Sequence, residues 1–474
     1  MQNRFLFFFL FIIYLLHIID GYAQHTTNKE RVIVLTDICN EPDDEESLVR
    51  FLVYSNEFDV EGLVATTSCW LKQGVREDKI LSHLHAYEKV LNNLKIHAGG
   101  FPSKQYLESV TCSGQTEYGL QATGKGKTTK GSELLIKAAM KKDPRPLWIL
   151  IWGGANTLAQ ALKDARLDLN KEDFNYMLSK MRIYSISDQD DAGPWIRKEF
   201  PSLFFIVDPS NPDAQDYYCA TWNGISGDMR NKIEVGYYSE LVDNPWLEKN
   251  IINNHGPLGK CYPRLAFIME GDTPSFLGLI NNGLGWTERP DYGGWGGRYQ
   301  LYKAYGETRP IWTSNKSSRD TFEYEEGKFY TSNRATIWRW RNHFQYDFAA
   351  RMDWCIADKY EKANHNPIVV VNGDSTKNVI YMEAELDEKI ILSAKGTHDP
   401  DNDSLSVFWW IYEEVSSAKN AVLSSKSGME ACLDLSTLDK DGDVHVIVQV
   451  NDNGTPNLYA YRRIVITVNP KPSV

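Results

Sequence analysis

Asp37, Asp43 and Asp44 fall in one short stretch, TDICNEPDDEE, and their types and spacing define the chemistry to look for. Hard cations such as Ca²⁺ take several oxygen ligands, commonly including paired aspartates. Acidic residues also cap helices, because the helix dipole favours negative charge in the first turn. Capping accounts for Asp43 and Asp44, which follow Pro42, a residue suited to the first helical position. It does not account for Asp37, which closes the preceding apolar run and faces that pair. The stretch therefore reads as a functional site at the C-terminal end of a strand, where open α/β sheets bind ligands.

The elements that position these residues follow from periodicity. Residues 32–35 (VIVL) are a continuous apolar run, as expected of a strand buried on both faces. The helix after it carries Leu48, Phe51 and Leu52 on one side, with Glu41 at the cap position. Further strands are expected at 60–68, 147–152, 182–187 and 203–207, with helices at 78–94, 132–142 and from 158 between them. These strands close on polar residues: Thr66-Thr67-Ser68, Gly153 to Thr157, Asp188 to Asp191, and Asp208. The alternation predicts the α/β class, a mostly parallel sheet with flanking helices and polar clusters along one edge. The loop GKGKTTKGS (124–132) lacks the phosphate-loop spacing and reads as solvated. His83 and His85 stand two apart on a helix and point to different faces, so they read as surface or packing residues.

Beyond residue 209 regular periodicity fades. Residues 265–280 (LAFIMEGDTPSFLGLI) repeat the order of apolar run, acid, proline and helix, with Asp272 in the acidic position. Residues 291–299 (DYGGWGGRY) form a glycine-padded aromatic loop, where Trp295 either stands exposed or packs in an ordinary turn. Residues 335–360 predict one long amphipathic helix. After the linker NHNP (364–367) the period switches to two, with strands at 379–382, 389–393, 405–411, 445–450 and 462–468. That pattern predicts a C-terminal β-sandwich of about 100 residues. Its acidic segments at 399–403 and 451–454 read as turns, with Ca²⁺ binding the less common alternative.

At 474 residues the chain is long enough for two or three domains. A formal net charge of −12 argues against nucleic acid or an anionic membrane as the main partner. Aromatic residues make up 12%, including 14 Trp and 25 Tyr, which suits stacking on the apolar faces of sugars as well as core packing. Arg4, the apolar run 5–16 and Gly21-Tyr22-Ala23 read as a signal peptide over 1–23. The run is short of the ~20 residues a spanning helix needs, so no integral membrane span is expected after cleavage. The expected location is secreted, periplasmic or at the cell surface. Seven scattered cysteines with no CxxC pair give neither a disulfide framework nor a zinc site. The expected domains are α/β over 31–362 and sandwich over 367–474.

TDICNEPDDEESLVRFL resembles the acidic motif of the inosine–uridine nucleoside hydrolase superfamily. Together with DYGGWGGRY it is similar to the nucleoside hydrolase-like family of cellulose-binding proteins, whose hydrolase-like domain precedes an Ig-like C-terminal domain. The resemblance implies that Asp37, Asp44 and Asp272 bind Ca²⁺ through carboxylates and that Trp152 offers its backbone carbonyl. It implies that Asp43 activates the attacking water and that Asn156, Asp190 and Asp191 contact sugar hydroxyls; Trp295 is the candidate for stacking. Leu35 departs from the superfamily, which commonly has a further Asp there, and Asn40-Glu41-Pro42 lengthens its turn. Gly271 stands where many nucleoside hydrolases carry a histidine that protonates the leaving base. The expected ligand is a carbohydrate or nucleoside-like small molecule. The expected function is Ca²⁺-assisted hydrolysis of a glycosidic, N-glycosyl type bond. The alternatives are a carbohydrate (cellulose)-binding protein that uses the same pocket without turnover, and a cell-surface scaffold with structural Ca²⁺.

Overall fold

The computed structural model describes residues 29–210, 217–228, 236 and 238–470; the signal-peptide segment 1–23 lies outside them. Eight strands form the main sheet: β1 (Glu30–Thr36), β2 (Phe58–Ala65), β3 (Thr111–Ser113), β4 (Leu147–Ile151), β5 (Met181–Ser185), β6 (Phe204–Ile206), β7 (Gln300–Tyr302) and β8 (Ile311–Thr313). Their order is β3-β2-β1-β4-β5-β6-β8-β7. Only the β7–β8 pairing is antiparallel; the others run parallel. The order reverses between β1 and β4, which leaves a crevice outside their carboxyl ends.

The apolar runs explain why β1 and β4 are central. Val32 and Val34 enter one hydrophobic core, while Ile33 and Leu35 enter the core on the opposite face. Trp148 and Leu150 of β4 join the first, and Ile149 and Ile151 the second. All eight of these side chains are inaccessible to solvent. Full burial of an aliphatic side chain stabilises by roughly 1.5–3 kcal/mol.

Helix α1 (Pro42–Val53) follows β1 and buries Leu48, Phe51 and Leu52. It also buries Arg50, whose Nε lies 2.5 Å from Glu270 Oε2 with both side chains excluded from water. The same guanidinium donates to the Phe344 carbonyl at 3.1 Å. Glu270 in turn accepts from Tyr262 at 2.7 Å and donates its backbone N–H to Glu46 at 2.9 Å. This ladder ties α1 to the chain just before Asp272. It also explains a difference from the sequence reading, since residues 265–270 form no strand. Phe267 (φ 101°) and Glu270 (φ 53°) adopt left-handed backbone, which interrupts extension, and only a four-residue helix, Pro274–Leu277, follows.

The long helix expected at 335–360 is also divided, into Ala335–Trp338 and α2 (Arg341–Trp354). α2 is not amphipathic; Asn342, His343, Gln345, Asp347 and Arg351 are buried with its apolar residues. Its surroundings account for this, because α1 lies against one side and the C-terminal strands against another. The interruption falls at Trp340, whose backbone leaves helical geometry (φ −103°, ψ 5°), while Arg339 beside it pairs with Asp320 at 2.8 Å.

A hairpin of β9 (Asp320–Glu325) and β10 (Lys328–Ser332) precedes these helices. The C-terminal strands are β11 (Ile380–Glu385), β12 (Lys389–Ser393), β13 (Ser406–Ile411), β14 (Val422–Leu423), β15 (Glu430–Asp434), β16 (Gly442–Asn451) and β17 (Tyr459–Asn469). They form sheets of order β11-β17-β16-β13 and β12-β15-β14, consistent with a sandwich, over a core containing Leu392, Trp409, Leu433 and Ile466. Tyr412, Ile447 and Tyr461 belong instead to the main core of the α/β domain. Arg463 reaches across the junction to the carbonyls of Tyr292 and Gly293 at 2.9 Å and of Leu284 at 2.7 Å. Trp295 packs here, buried, donating to Tyr461 at 3.2 Å. Of the two readings of its loop, the packed turn holds.

Removing one partner of a buried ion pair leaves the other charge uncompensated and costs about 3–5 kcal/mol. Arg50→Met is therefore expected to lower unfolding free energy by about that amount in urea titrations.

Candidate functional site

The chain leaves β1 through Thr36 and Asp37, turns at Cys39 (φ 84°), and enters α1 at Pro42. A non-glycine residue in left-handed backbone costs of order 1–3 kcal/mol and is found where surrounding structure imposes it. Here the turn points the first residues of α1 back over the strand end. Glu41 takes the cap position with extended backbone, but its side chain makes no capping bond to the helix and lines a pocket. Asp37, Asp43, Asp44 and Asp272 line the same pocket, with Trp152 from the end of β4. Beside them stand Ser187 and Gln189, which follow β5, and Gly271.

Each carboxylate is held differently. Asp44 accepts a short bond from Thr36 Oγ1, and Asp37 one from Ser68 Oγ. Asp272 is 3% exposed, and its Oδ2 has no hydrogen-bond partner. Two glycines make the approach possible. A β-carbon at Gly153 would stand 2.6 Å from Asp37 Oδ1, and one at Gly271 would stand 2.8 Å from Asp43 Oδ2. The backbone at 271 is thus close against Asp43, which leaves little room there for the histidine of related motifs.

Burial pushes the Asp37 carboxyl up to about 6 despite the Ser68 bond. Asp43 is pushed to about 8, first by burial of its carboxyl and then by the charges of Glu41 and Asp37. Asp44 is raised well above the ordinary range by burial, then by Asp37 and Asp43. Asp272 is raised likewise, by burial and then by Asp44, Asp43 and Asp37. Like-charged carboxylates sharing a site cannot all ionise without a counter-charge. No lysine or arginine figures among the leading influences on any of the four. The donor set, all hard oxygen with one orphaned atom, fits Ca²⁺ chemically. Among the described residues no three His, Cys, Asp or Glu side chains already stand in a metal-holding arrangement. The fit therefore rests on charge and donor type. The Trp152 carbonyl accepts from Gln189 Nε2 at 2.6 Å, which occupies one of its two lone pairs.

The opposite wall is aromatic: Trp70, Tyr217, Trp222 and Phe267. Trp70 and Tyr217 stand 6.2 Å apart with a 3.2 Å bond from Trp70 Nε1 to the phenol, and Tyr217 and Trp222 5.8 Å apart. Phe267 is 45% exposed. The cavity itself is small, about 50 Å³, and opens into a wider cleft of about 610 Å³ that includes open solvent. Ser187 Oγ, Gln189 Oε1 and Trp222 Nε1 are buried without hydrogen-bond partners, as is Asp272 Oδ2. Buried polar atoms are nearly always paired, so a pocket lined by orphaned donors and acceptors suits a polyhydroxylated ligand.

The two family descriptions that match this chain are "Cellulose-binding Sde182, nucleoside hydrolase-like domain" over residues 31–299 and "Cellulose-binding protein Sde0182, C-terminal domain" over residues 389–468. The chain belongs to this nucleoside hydrolase-like family. It is similar to a nucleoside hydrolase-related hypothetical protein from Saccharophagus degradans that is associated with carbohydrate metabolism, at 36% identity over 93% of this chain and 100% of that one, with a TM-score of 0.79. The effector protein XOO4466 aligns at 12% identity over 70% of this chain and 95% of that one, with a TM-score of 0.34, too low to bear on the fold. No curated protein matches. Among the described residues no helix is long and apolar enough to cross a membrane.

Within this nucleoside hydrolase-like domain, the pocket brings together Asp37, Asp43, Asp44, Asp272 and Trp152. Asn156, Asp190, Asp191 and Trp295 do not line it. Asn156 is buried and donates to Thr67 Oγ1 at 3.1 Å and to the Glu117 carbonyl at 2.8 Å. Asp190 accepts from the Asn156 and Ala192 amides, and Asp191 from the Leu120 amide. These carboxylates organise loops, and the pocket receives Gln189 from the same cluster. Trp70, Tyr217, Trp222 and Asp228 carried no recognised signal, since they arrive on segments without strand or helix periodicity, and in the sequence Phe267 reads only as part of the apolar run at 265–280.

The raised carboxyl pKa values give a signed expectation. Between the ordinary carboxylate range near 4 and about 8, the folded metal-free chain holds protons on Asp37 and Asp43 that the unfolded chain has released. Stability is then fully present below that range and declines as pH rises through it. Chelator-treated protein is expected to show a falling Tm from pH 5 to pH 8, and Asp43→Asn to flatten the upper part of that fall.

Proposed function

We propose that the chain is an exported, Ca²⁺-dependent hydrolase of glycosidic bonds, of N-glycosyl or related type. The observation that carries this reading is the pairing of Asp43 with three further buried aspartates behind it and unpaired Ser187, Gln189 and Trp222 atoms around it. When bound, Ca²⁺ supplies positive charge that orients vicinal sugar hydroxyls and lowers the pKa of a water. Asp37, Asp44 and Asp272 would hold the cation, with the free lone pair of the Trp152 carbonyl as a further oxygen.

Asp43 is the general base. Its side chain is half-buried and borders the pocket. With the cluster's charge neutralised it loses its proton and takes one from the attacking water as the glycosidic bond breaks. The neighbouring carboxylates stabilise the oxocarbenium-like transition state. Ser187 and Gln189 meet sugar hydroxyls, and the wall of Trp70, Tyr217, Trp222 and Phe267 receives the flat face of the leaving group. Gly271 brings no side chain to protonate that group, which favours leaving groups that depart without an acid at this position. The leader read over 1–23 supports export.

The cellulose-binding description of the family and the missing histidine favour a second reading, a carbohydrate-binding protein without turnover. The two separate on one residue. Assayed against nucleosides and aryl glycosides in Ca²⁺, Asp43→Ala is expected to lower kcat/KM by about 10²–10⁴ with sugar affinity largely retained, and chelation to abolish turnover. Sugar binding by the wild type with no bond cleavage, unchanged in Asp43→Ala, would establish the binding protein instead.

A further inference from the structure

Away from the pocket, two buried histidines meet where the domains join. His97 ends the helix Glu77–His97, and His365 lies in the segment that leads into the sandwich. His97 Nε2 stands 3.1 Å from the Ala357 carbonyl, and its Nδ1 stands 3.0 Å from His365 Nε2. His365 Nδ1 lies in turn 3.1 and 3.0 Å from the two oxygens of Asp401, which belongs to a turn of the sandwich. The His365 backbone N–H holds the same carboxylate, donating to Asp401 Oδ2 at 2.8 Å. Ala357, His97, His365 and Asp401 thus form one chain of three contacts, all at hydrogen-bond distance.

This chain needs more hydrogens than two neutral rings supply. A carbonyl only accepts, so His97 Nε2 carries a hydrogen, and in a neutral ring Nδ1 then carries none. His365 Nε2 must donate to that Nδ1, which in a neutral ring leaves His365 Nδ1 bare. A bare nitrogen would face the Asp401 carboxylate at 3.0 Å, two acceptors with nothing between them. Three contacts need three hydrogens, and two neutral imidazoles bring two.

The groups around the rings favour a third. Tyr360 stacks on His365 with centroids 3.7 Å apart and planes within 2°, and the face of an aromatic ring attracts a cation. Burial, the largest influence, pushes each imidazole below the ordinary histidine value; Asp401 opposes it on both rings, and Asp399 on His365. No lysine or arginine figures among the leading influences on either ring. The bond pattern decides the contest, because a neutral pair forfeits the His365–Asp401 bond and a charged pair makes all three. A charge on His365 pushes His97 further down, so the pair holds one extra proton and not two.

We propose that His97 and His365 share one extra proton, carried as an imidazolium bonded to Asp401, and that this proton clasps the sandwich to the α/β domain. Unfolded, a histidine titrates near 6.5. A folded pair that holds its proton more tightly adds stability that is fully present below about 6.5 and is lost as pH rises through the pair's own value. Loss of the proton sets bare nitrogen against carboxylate and loosens the contact between linker and turn. The clasp is independent of the catalytic reading of the pocket.

Nitrogen NMR of the full chain labelled with ¹⁵N-histidine tests it. At pH 7.5 an ordinary exposed histidine is about nine-tenths neutral. The wild type is expected to show at that pH a ring protonated on both nitrogens, assigned to His365 by its loss in His365→Gln. Asp401→Asn is expected to abolish it, since the new amide donates N–H to His365 Nδ1 and completes the chain with both rings neutral. Between pH 7 and pH 9 the wild type is expected to lose about 1–3 °C of Tm relative to Asp401→Asn. The pocket carboxylates are common to both chains and cancel from that difference. A neutral His365 in the wild type at pH 7.5 would overturn the clasp, as would a doubly protonated His365 in Asp401→Asn or a Tm difference independent of pH. Should Asp401→Asn fail to fold, the wild-type signal and its loss in His365→Gln decide.

Discussion

Repulsion among buried carboxylates is the constraint to which the rest of this structure answers. Asp37, Asp43, Asp44 and Asp272 come from three places in the chain, the end of β1, the first turn of α1 and the loop before residue 274. Asp37 raises the proton affinity of Asp43 and Asp44, Asp43 raises that of Asp44, and all three raise that of Asp272. A fold seeking only stability would not gather them, since an unpaired buried charge is among the more costly features a protein can carry. The apolar content of β1 and β4, sealed on both faces, supplies the stability that tolerates it.

Holding the acids in place requires as much structure as enclosing them. The Arg50–Glu270 pair anchors the backbone immediately before Asp272, and Gly153 and Gly271 clear the space into which Asp37 and Asp43 reach. The Cys39 turn, in left-handed backbone, returns the chain so that α1 begins above the strand it has just left. Each device concentrates charge where water is excluded, and there electrostatic interactions gain strength. That is the condition under which a cation binds tightly and a carboxylate acts as a base.

Much of this was legible in the sequence. The runs VIVL and LWILI announce central strands, and the aspartates closing the first of them announce the site. The period-two pattern after residue 378 announces the sandwich. What escaped did so for identifiable reasons. Consecutive polar residues after a strand do not reveal which of them faces the crevice. In 188–191 Asp188 is committed to Arg197 and Asp190 and Asp191 to backbone amides, which leaves Gln189 for the pocket. The run at 265–270 looks extended, but Arg50, far away in sequence, dictates its conformation. The helix at 335–360 looks amphipathic because periodicity cannot foresee a second domain covering its polar side. The aromatic wall arrives on irregular loops, where no pattern marks a residue in advance.

The crossing of Tyr412, Ile447 and Tyr461 into the main core has a wider consequence. A binding module strung on a linker can be exchanged, lost or duplicated while its neighbour goes on working. Here the sandwich supplies side chains to its neighbour's interior, and Arg463 satisfies three carbonyls that a severed chain would leave bare. The two halves are therefore expected to melt as one cooperative body.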